Sequence, residues 1–142
     1  MSALHLVAVF VENKPGETAR ITRYLAEAGA NIRWVTVATS EKFGVMKFLV
    51  DKCEAALDIL RTKGVTVSSP EVLAVEIKDK PGSLHAVADS LARHGVNVEN
   101  ISGFVANKRA VLLIEVQDVP RARGVLDKQG LRLLTPAELL SL

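Results

Sequence analysis

Asn13-Lys14-Pro15-Gly16 and, sixty-six residues later, Asp79-Lys80-Pro81-Gly82 are two copies of one turn. Each follows an alternating apolar run, HLVAVFVE at 5–12 and EVLAVEI at 71–77. Each precedes a helical pattern that closes on a Gly-x-Asn step, Gly29-Ala30-Asn31 in one half and Gly95-Val96-Asn97 in the other. Laid on one another without a gap, residues 5–70 and 71–136 share sixteen identities, among them Pro15/Pro81, Gly16/Gly82, Leu25/Leu91, Asn31/Asn97, Gly64/Gly130 and Pro70/Pro136. Unrelated segments of ordinary composition match at about one position in fifteen. The identities gather at turns and helix ends, where backbone geometry restricts the choice of residue. The chain is an internal duplication.

The duplication divides the 142 residues into two expected units, 1–70 and 71–142. A unit of about seventy residues buries a modest core, so each is expected to lean on the other or on a second chain. Hydrophobic residues make up 49% and aromatic residues 4%, which suits a core of Val, Leu, Ile and Ala. The formal net charge is only +2 and no basic cluster stands out, which argues against nucleic acid or an anionic membrane as the main partner. Met1-Ser2-Ala3 runs into a strand-like segment without a leader pattern, and no apolar run approaches the ~20 residues that span a bilayer. The single cysteine has no internal disulfide partner and no metal-ligand spacing around it. These features predict a cytoplasmic protein with no metal and no resident cofactor.

In order, 5–12 reads as a strand, and Pro15-Gly16 breaks it. Ile21, Tyr24, Leu25 and Ala28 then recur at the spacing of an amphipathic helix from Glu17 to Ala28. Strands follow at 31–39 and 44–50, joined through Ser40-Glu41-Lys42-Phe43. Asp51 is the expected N-cap of a helix at about 52–63, with Ala56, Leu57 and Leu60 inward, and 65–68 is a short fourth strand. The second half repeats the order: strand 71–77, helix about 83–94, strands 97–105 and 109–116, helix about 120–129 and strand 131–134. Thr135-Pro136-Ala137-Glu138 then reads as a capping box opening a short C-terminal helix.

Each half is thus β-α-β-β-α-β. Right-handed crossovers turn that order into an antiparallel four-stranded sheet with both helices on one face, the ferredoxin-like plait of the α+β class. Val7, Val9 and Val11, matched by Leu73, Val75 and Ile77, are placed on the helix side. The opposite face carries Leu6, Ala8, Phe10, Val45 and Leu49, with Val72, Ala74, Glu76, Val111 and Leu113 in the second copy. A face meant for water would be polar, so this one is expected to be covered by the other repeat or by another subunit, and a homodimer is expected.

A helix start presents unpaired N–H groups and a partial positive charge, which suit a carboxylate or phosphate. A glycine there lets another group approach the backbone. Asn13 and Asp79 supply oxygens for an ammonium, and Asn31 and Asn97 both donate and accept. An α-amino acid carries these complementary groups on one carbon. Against this stands the plainer possibility that Pro-Gly is only a turn and Gly-x-Asn only a helix stop, which a duplication would copy as faithfully as a site.

The tandem plait, with Asn-Lys-Pro-Gly and Asp-Lys-Pro-Gly at the first turns and Gly-Ala-Asn-Ile and Gly-Val-Asn-Val entering the second strands, resembles the ACT domain. Phe43-Gly44-Val45 at the third strand adds a likeness to small stand-alone tandem-ACT proteins. The resemblance spans essentially the whole chain. It implies a regulatory module that binds a free amino acid where two units meet, with sheets often joined edge to edge, and a partner metabolic enzyme that reads occupancy. Carried over by position, the contacts it implies are Asn13, Pro15, Gly16, Glu17, Asn31, Asp79, Pro81, Gly82, Ser83, Leu84 and Asn97. Glu17-Thr18 departs from the small-then-aliphatic pair that Ser83-Leu84 keeps, and a carboxylate at Glu17 would repel a ligand carboxylate. The second turn is therefore the better anion site, and the first is either degenerate or contacts the ammonium.

Other functions fit less well. A hydrolase of the acylphosphatase type needs an Arg in the first loop, which neither turn has, and no nucleophile–base pair is apparent. An RNA-binding plait needs aromatic residues on the first and third strands, and only Phe10 and Phe48 qualify. A metal carrier needs a Cys-x-x-Cys. A structural subunit that binds nothing is the remaining alternative. His85 stands near the proposed site but reads as an exposed helical histidine, Cys53 as a small buried side chain, and Trp34 as filling the open sheet face.

Overall fold

The computed structural model describes residues 3–142. The chain divides into two compact units, His5–Pro70 and Glu71–Leu142, with residues 3–4 belonging to the second. Both have the antiparallel ferredoxin-like architecture with helices on one face.

The first unit runs β2 (Val7–Glu12), α1 (Glu17–Glu27), β3 (Ile32–Ser40), β4 (Phe43–Val50), α2 (Cys53–Thr62) and β5 (Thr66–Ser68), after β1 (Leu4–His5). Its sheet has the order β3-β4-β2-β5. The alternation along β2 decides which face meets the helices. Val7, Val9 and Val11 pack with Met46, Phe48 and Val50 of β4 against Ile21 and Leu25 of α1 and Ala56, Leu57 and Leu60 of α2. The second unit repeats this with β6 (Glu71–Ile77), α3 (Ser83–Arg93), β7 (Val98–Ala106), β8 (Arg109–Val116), α4 (Val119–Lys128) and β9 (Arg132–Leu133), and adds α5 (Pro136–Leu140). Leu73, Val75, Leu112 and Ile114 meet Val87, Leu91, Ala122 and Leu126 there. The strand registers put Ala8, Phe10, Val45, Leu49 and Trp34 on the other face of the first sheet, and Ala74, Glu76, Val111 and Leu113 on that of the second.

Two local expectations need correction. Residues 5–12 do not form one strand. The chain breaks at Leu6, whose amide donates to the Pro70 carbonyl at 3.0 Å, and β1 instead joins the sheet of β6. Asp51 does not cap α2: Lys52 occupies that position without a side-chain cap, and the Asp51 carboxylate accepts from the Asn31 amide at 2.8 Å. In the second unit the acid stands one place later, and Asp118 does cap α4, accepting from the Arg121 amide at 3.2 Å.

The capping box at α5 forms as read from the sequence, with Thr135 and Glu138 each accepting the other's backbone N–H at 3.2 Å. Glu138 also accepts from Arg132, which stands opposite Glu76 in the sheet. Glu76 is gripped bidentately by Arg109 at 2.7 and 2.8 Å. Arg109 first, then Arg132, holds the Glu76 carboxyl below the usual carboxylate range, against an opposing effect of desolvation.

Two outcomes are expected. Leu25 and Leu91 are fully enclosed. Leu25→Ala or Leu91→Ala should therefore cost about 2–5 kcal/mol in urea unfolding, whereas the half-exposed Leu84→Ala should change stability by no more than about 0.5 kcal/mol. Because the folded-state pKa of Glu76 is depressed, its stabilisation is full above the unfolded carboxylate pKa and fades as pH falls below about 4. Glu76→Gln should therefore lose less stability than the parent between neutral pH and pH 3, measured by urea unfolding at each pH.

Candidate functional site

Both repeated turns bring the chain into a helix through a glycine in the left-handed region, Gly16 at φ 93° and Gly82 at φ 90°. Each is the N-cap residue just ahead of its helix, and neither helix has a side-chain cap. A Cβ on Gly82 would meet nothing within 4 Å, so glycine is required here by conformation and not by crowding. The consequence is a bare helix start. Ser83 N–H donates to the Lys80 carbonyl at 3.3 Å, and the next amide engaged is that of Ala86, on Gly82 at 3.0 Å. Among the described residues, the amides of Gly82, Leu84 and His85 have no acceptor.

In front of this start lies a cleft of about 740 Å³. It forms because β9 pairs with β6, Glu76 opposite Arg132, so the segment leaving α4 at Gly130 arrives beside the turn that leaves β6. Lys78, Lys80 and Arg132 line it, together with Pro81, Gly82, Ser83 and Ala86. The one acid on its wall is Glu76, whose charge Arg109 already opposes, and Arg132 is itself paired with Glu138, so the positive charge of the wall comes from Lys78 and Lys80. A cationic cleft over unpaired amides can hold a carboxylate or another small anion.

Of the positions inferred from sequence, Pro81, Gly82 and Ser83 come together on this cleft, and Asp79, Leu84 and Asn97 do not line it. Asn97 follows the end of α3 while Gly82 starts it. Eleven helical residues separate them, about 16 Å of rise, and the same separation divides Asn31 from Gly16. Neither asparagine can therefore complete the turn of its own unit. Asn13 has a structural task instead: its Nδ2 donates to the Glu41 carbonyl at 2.8 Å and its amide to that of Lys42 at 2.7 Å, tying the first turn to the β3–β4 turn.

The first turn carries different side chains. Glu17, only 8% exposed, accepts from Arg20 Nε at 3.1 Å and from its terminal nitrogen at 2.7 Å. The Arg20 hydrogen bonds hold the Glu17 carboxyl below its usual value, although burial works the other way. Lys14 pairs with Glu12 at 3.7 Å. Cys53, by contrast, is half-buried, and burial pushes its thiol up, away from reactivity.

Sequence reasoning missed Lys78, Ala86, Leu131 and Arg132. The available signal was the matched glycine pair Gly64/Gly130, which marks where the last strand of each copy begins. Pairing that strand beside the first, as the plait demands, would have brought Arg132 to the turn.

The comparisons with known proteins bear on the whole chain. No curated protein matches it. Among solved structures, protein BT0572 from Bacteroides thetaiotaomicron is similar with a TM-score of 0.91 and 25% identity, over 99% of this chain and 97% of that one. The regulatory subunit of aspartate kinase from Thermus thermophilus, in ligand-free form, shares the fold with a TM-score of 0.62 and 18% identity over 89% and 91% of the two chains. The aspartokinase alpha and beta subunits do so at 0.62 and 20%, with the same coverage. The profile of the ACT domain pair matches residues 1–142, and the chain belongs to that family.

Proposed function

We propose that the chain is a non-catalytic regulatory module that binds a free amino acid at the Gly82 turn and conveys occupancy to a partner enzyme. The observation that carries the reading is the uncapped start of α3, with its unpaired amides set over a cationic cleft. The ligand carboxylate would take the amides of Gly82, Leu84 and His85, with Lys78 and Lys80 adding charge. Membership of the ACT domain pair family supports the regulatory role, and the fold shared with the regulatory subunit of aspartate kinase is consistent with it.

Within the unit the one carboxylate on the cleft wall is Glu76, already engaged by Arg109, so the ammonium calls for further acceptors. In a homodimer, Asn31 or Asn97 of a second copy would supply them. The sheets offer a route to such a pairing. β3 and β7 are nine-residue edge strands with exposed Val35, Val37 and Val105, and an edge of that length and character is a template for another strand. A ligand shared between copies acts only through its difference in affinity for two arrangements of them, and that difference is what a partner enzyme would read.

Two outcomes follow. In a thermal-shift screen of the proteinogenic amino acids at millimolar concentration, at least one should raise Tm. Saturation to 100 times Kd corresponds to about 2.7 kcal/mol. The response should vanish in Gly82→Val and persist in the surface control Glu27→Gln, and a flat screen would favour a structural subunit without a ligand. Sedimentation should report a dimer for the parent and a shift toward monomer for Val37→Lys, which sets a charge on the β3 edge.

A further inference from the structure

The first unit carries a hollow of about 650 Å³ in which the Gly82 cleft has no part. Strand register builds its floor. Phe10, Val45 and Ala38 stand abreast across β2, β4 and β3, and Glu12, Phe43 and Ser40 form the next row. All six lie on the sheet face turned away from the helices, because the residues alternating with them, Val9, Val11 and Met46, belong to the core. Two aromatic rings are left to water there, Phe43 at 67% exposure and Phe10 at 47%. A single exposed ring is ordinary, but two that converge with Ala38 and Val45 on one hollow form an apolar site of a size that takes a small organic molecule.

Charge selects the occupant. Among the described residues that line the hollow, Glu12 is the only charged one. Its neighbour Lys14 stands at 3.7 Å, beyond hydrogen-bond distance, and both side chains are more than half exposed. Such a pair is worth little, and it leaves carboxylate oxygens open to a second cation. An anion would meet Glu12 with no cation in the lining to offset it, and a neutral apolar molecule would leave the carboxylate unused. A cation with an apolar body satisfies both features, its body on the rings and its charge at Glu12, and the phenyl faces attract positive charge as well. The second repeat shows that the plait itself does not impose this chemistry. At the positions of Phe10, Glu12 and Phe43 it carries Glu76, Lys78 and Arg109, and there Arg109 grips Glu76. We infer that the first unit holds a site for a small organic cation with an apolar body, an arylalkylammonium or a branched alkylammonium, at Phe10, Phe43 and Glu12. The inference is independent of the amino-acid reading of the Gly82 turn.

A ¹H–¹⁵N NMR titration with 2-phenylethylammonium chloride, set beside neutral 2-phenylethanol and anionic phenylacetate, tests it. Saturable shifts of the Phe10, Glu12, Phe43 and Val45 amides are expected with the ammonium, weaker ones with the alcohol and none with the carboxylate. The Gly82 to His85 amides should stay unmoved, since the ammonium probe carries no carboxylate. Glu12→Gln should weaken binding about fivefold, the upper end for an exposed ion pair, and Lys14→Gln should tighten it. Phe43→Ala should weaken binding about tenfold, with circular dichroism unchanged because so exposed a ring holds no core together. Equal binding of the alcohol, or no loss in Glu12→Gln, overturns the assignment of a cation. Absence of saturable shifts at these residues, or shifts confined to Gly82–His85, overturns the site. A parent dimer that Phe43→Ala converts to monomer assigns this face to a second copy and overturns it as well.

Discussion

A peptide that must turn from a strand into a helix within four or five residues, through a positive φ, leaves the helix start without a side chain of its own, and both halves of this molecule are built on that corner. An L-residue with a Cβ pays roughly 1–2 kcal/mol in the left-handed region, so Gly16 and Gly82 are the natural occupants at φ 93° and 90°. Glycine has no oxygen with which to cap. In the same unit, Asp118 caps α4 and Thr135 with Glu138 caps α5. The bare start of α3 therefore follows from the geometry of the corner, and the fold leaves those amides to whatever occupies the cleft.

The surroundings decide what the corner becomes. Where β9 brings Arg132 beside the turn and the helix face is small, the cleft stays open and cationic. Where the helix carries Glu17 and Arg20, charge is balanced inside the protein. Duplication supplied two equal corners, and a handful of side chains separates their electrostatics. The Glu76–Arg109 pair belongs to the same divergence, since the matched residues of the first repeat are Phe10 and Phe43, which line a separate apolar hollow of about 650 Å³ with Ala38 and Val45.

The fold was legible because its signals are local and were stated twice. Alternation along 7–11 and 73–77 assigned the helix side, and the capping box at Thr135 was visible in four letters. The exact caps were less so: Asp51 and Asp118 lie one position apart in the repeat alignment, and only the latter reaches a helix amide. The candidate cleft was legible where it is made of neighbours in sequence, Pro81 to Ser83. Arg132 comes to the cleft through strand pairing, and Asn97 stands a helix length away from Gly82; neither relation can be read from spacing along the chain.

The central claim is that a ligand carboxylate completes the uncapped start of α3. A ¹H–¹⁵N NMR titration with the amino acid that produces the largest thermal shift measures it at the atoms concerned. The account predicts saturable shifts of the Gly82, Ser83, Leu84 and His85 amides, with those of Gly16 to Ala19 changing far less. Saturable binding that leaves the Gly82–His85 amides unmoved would contradict it.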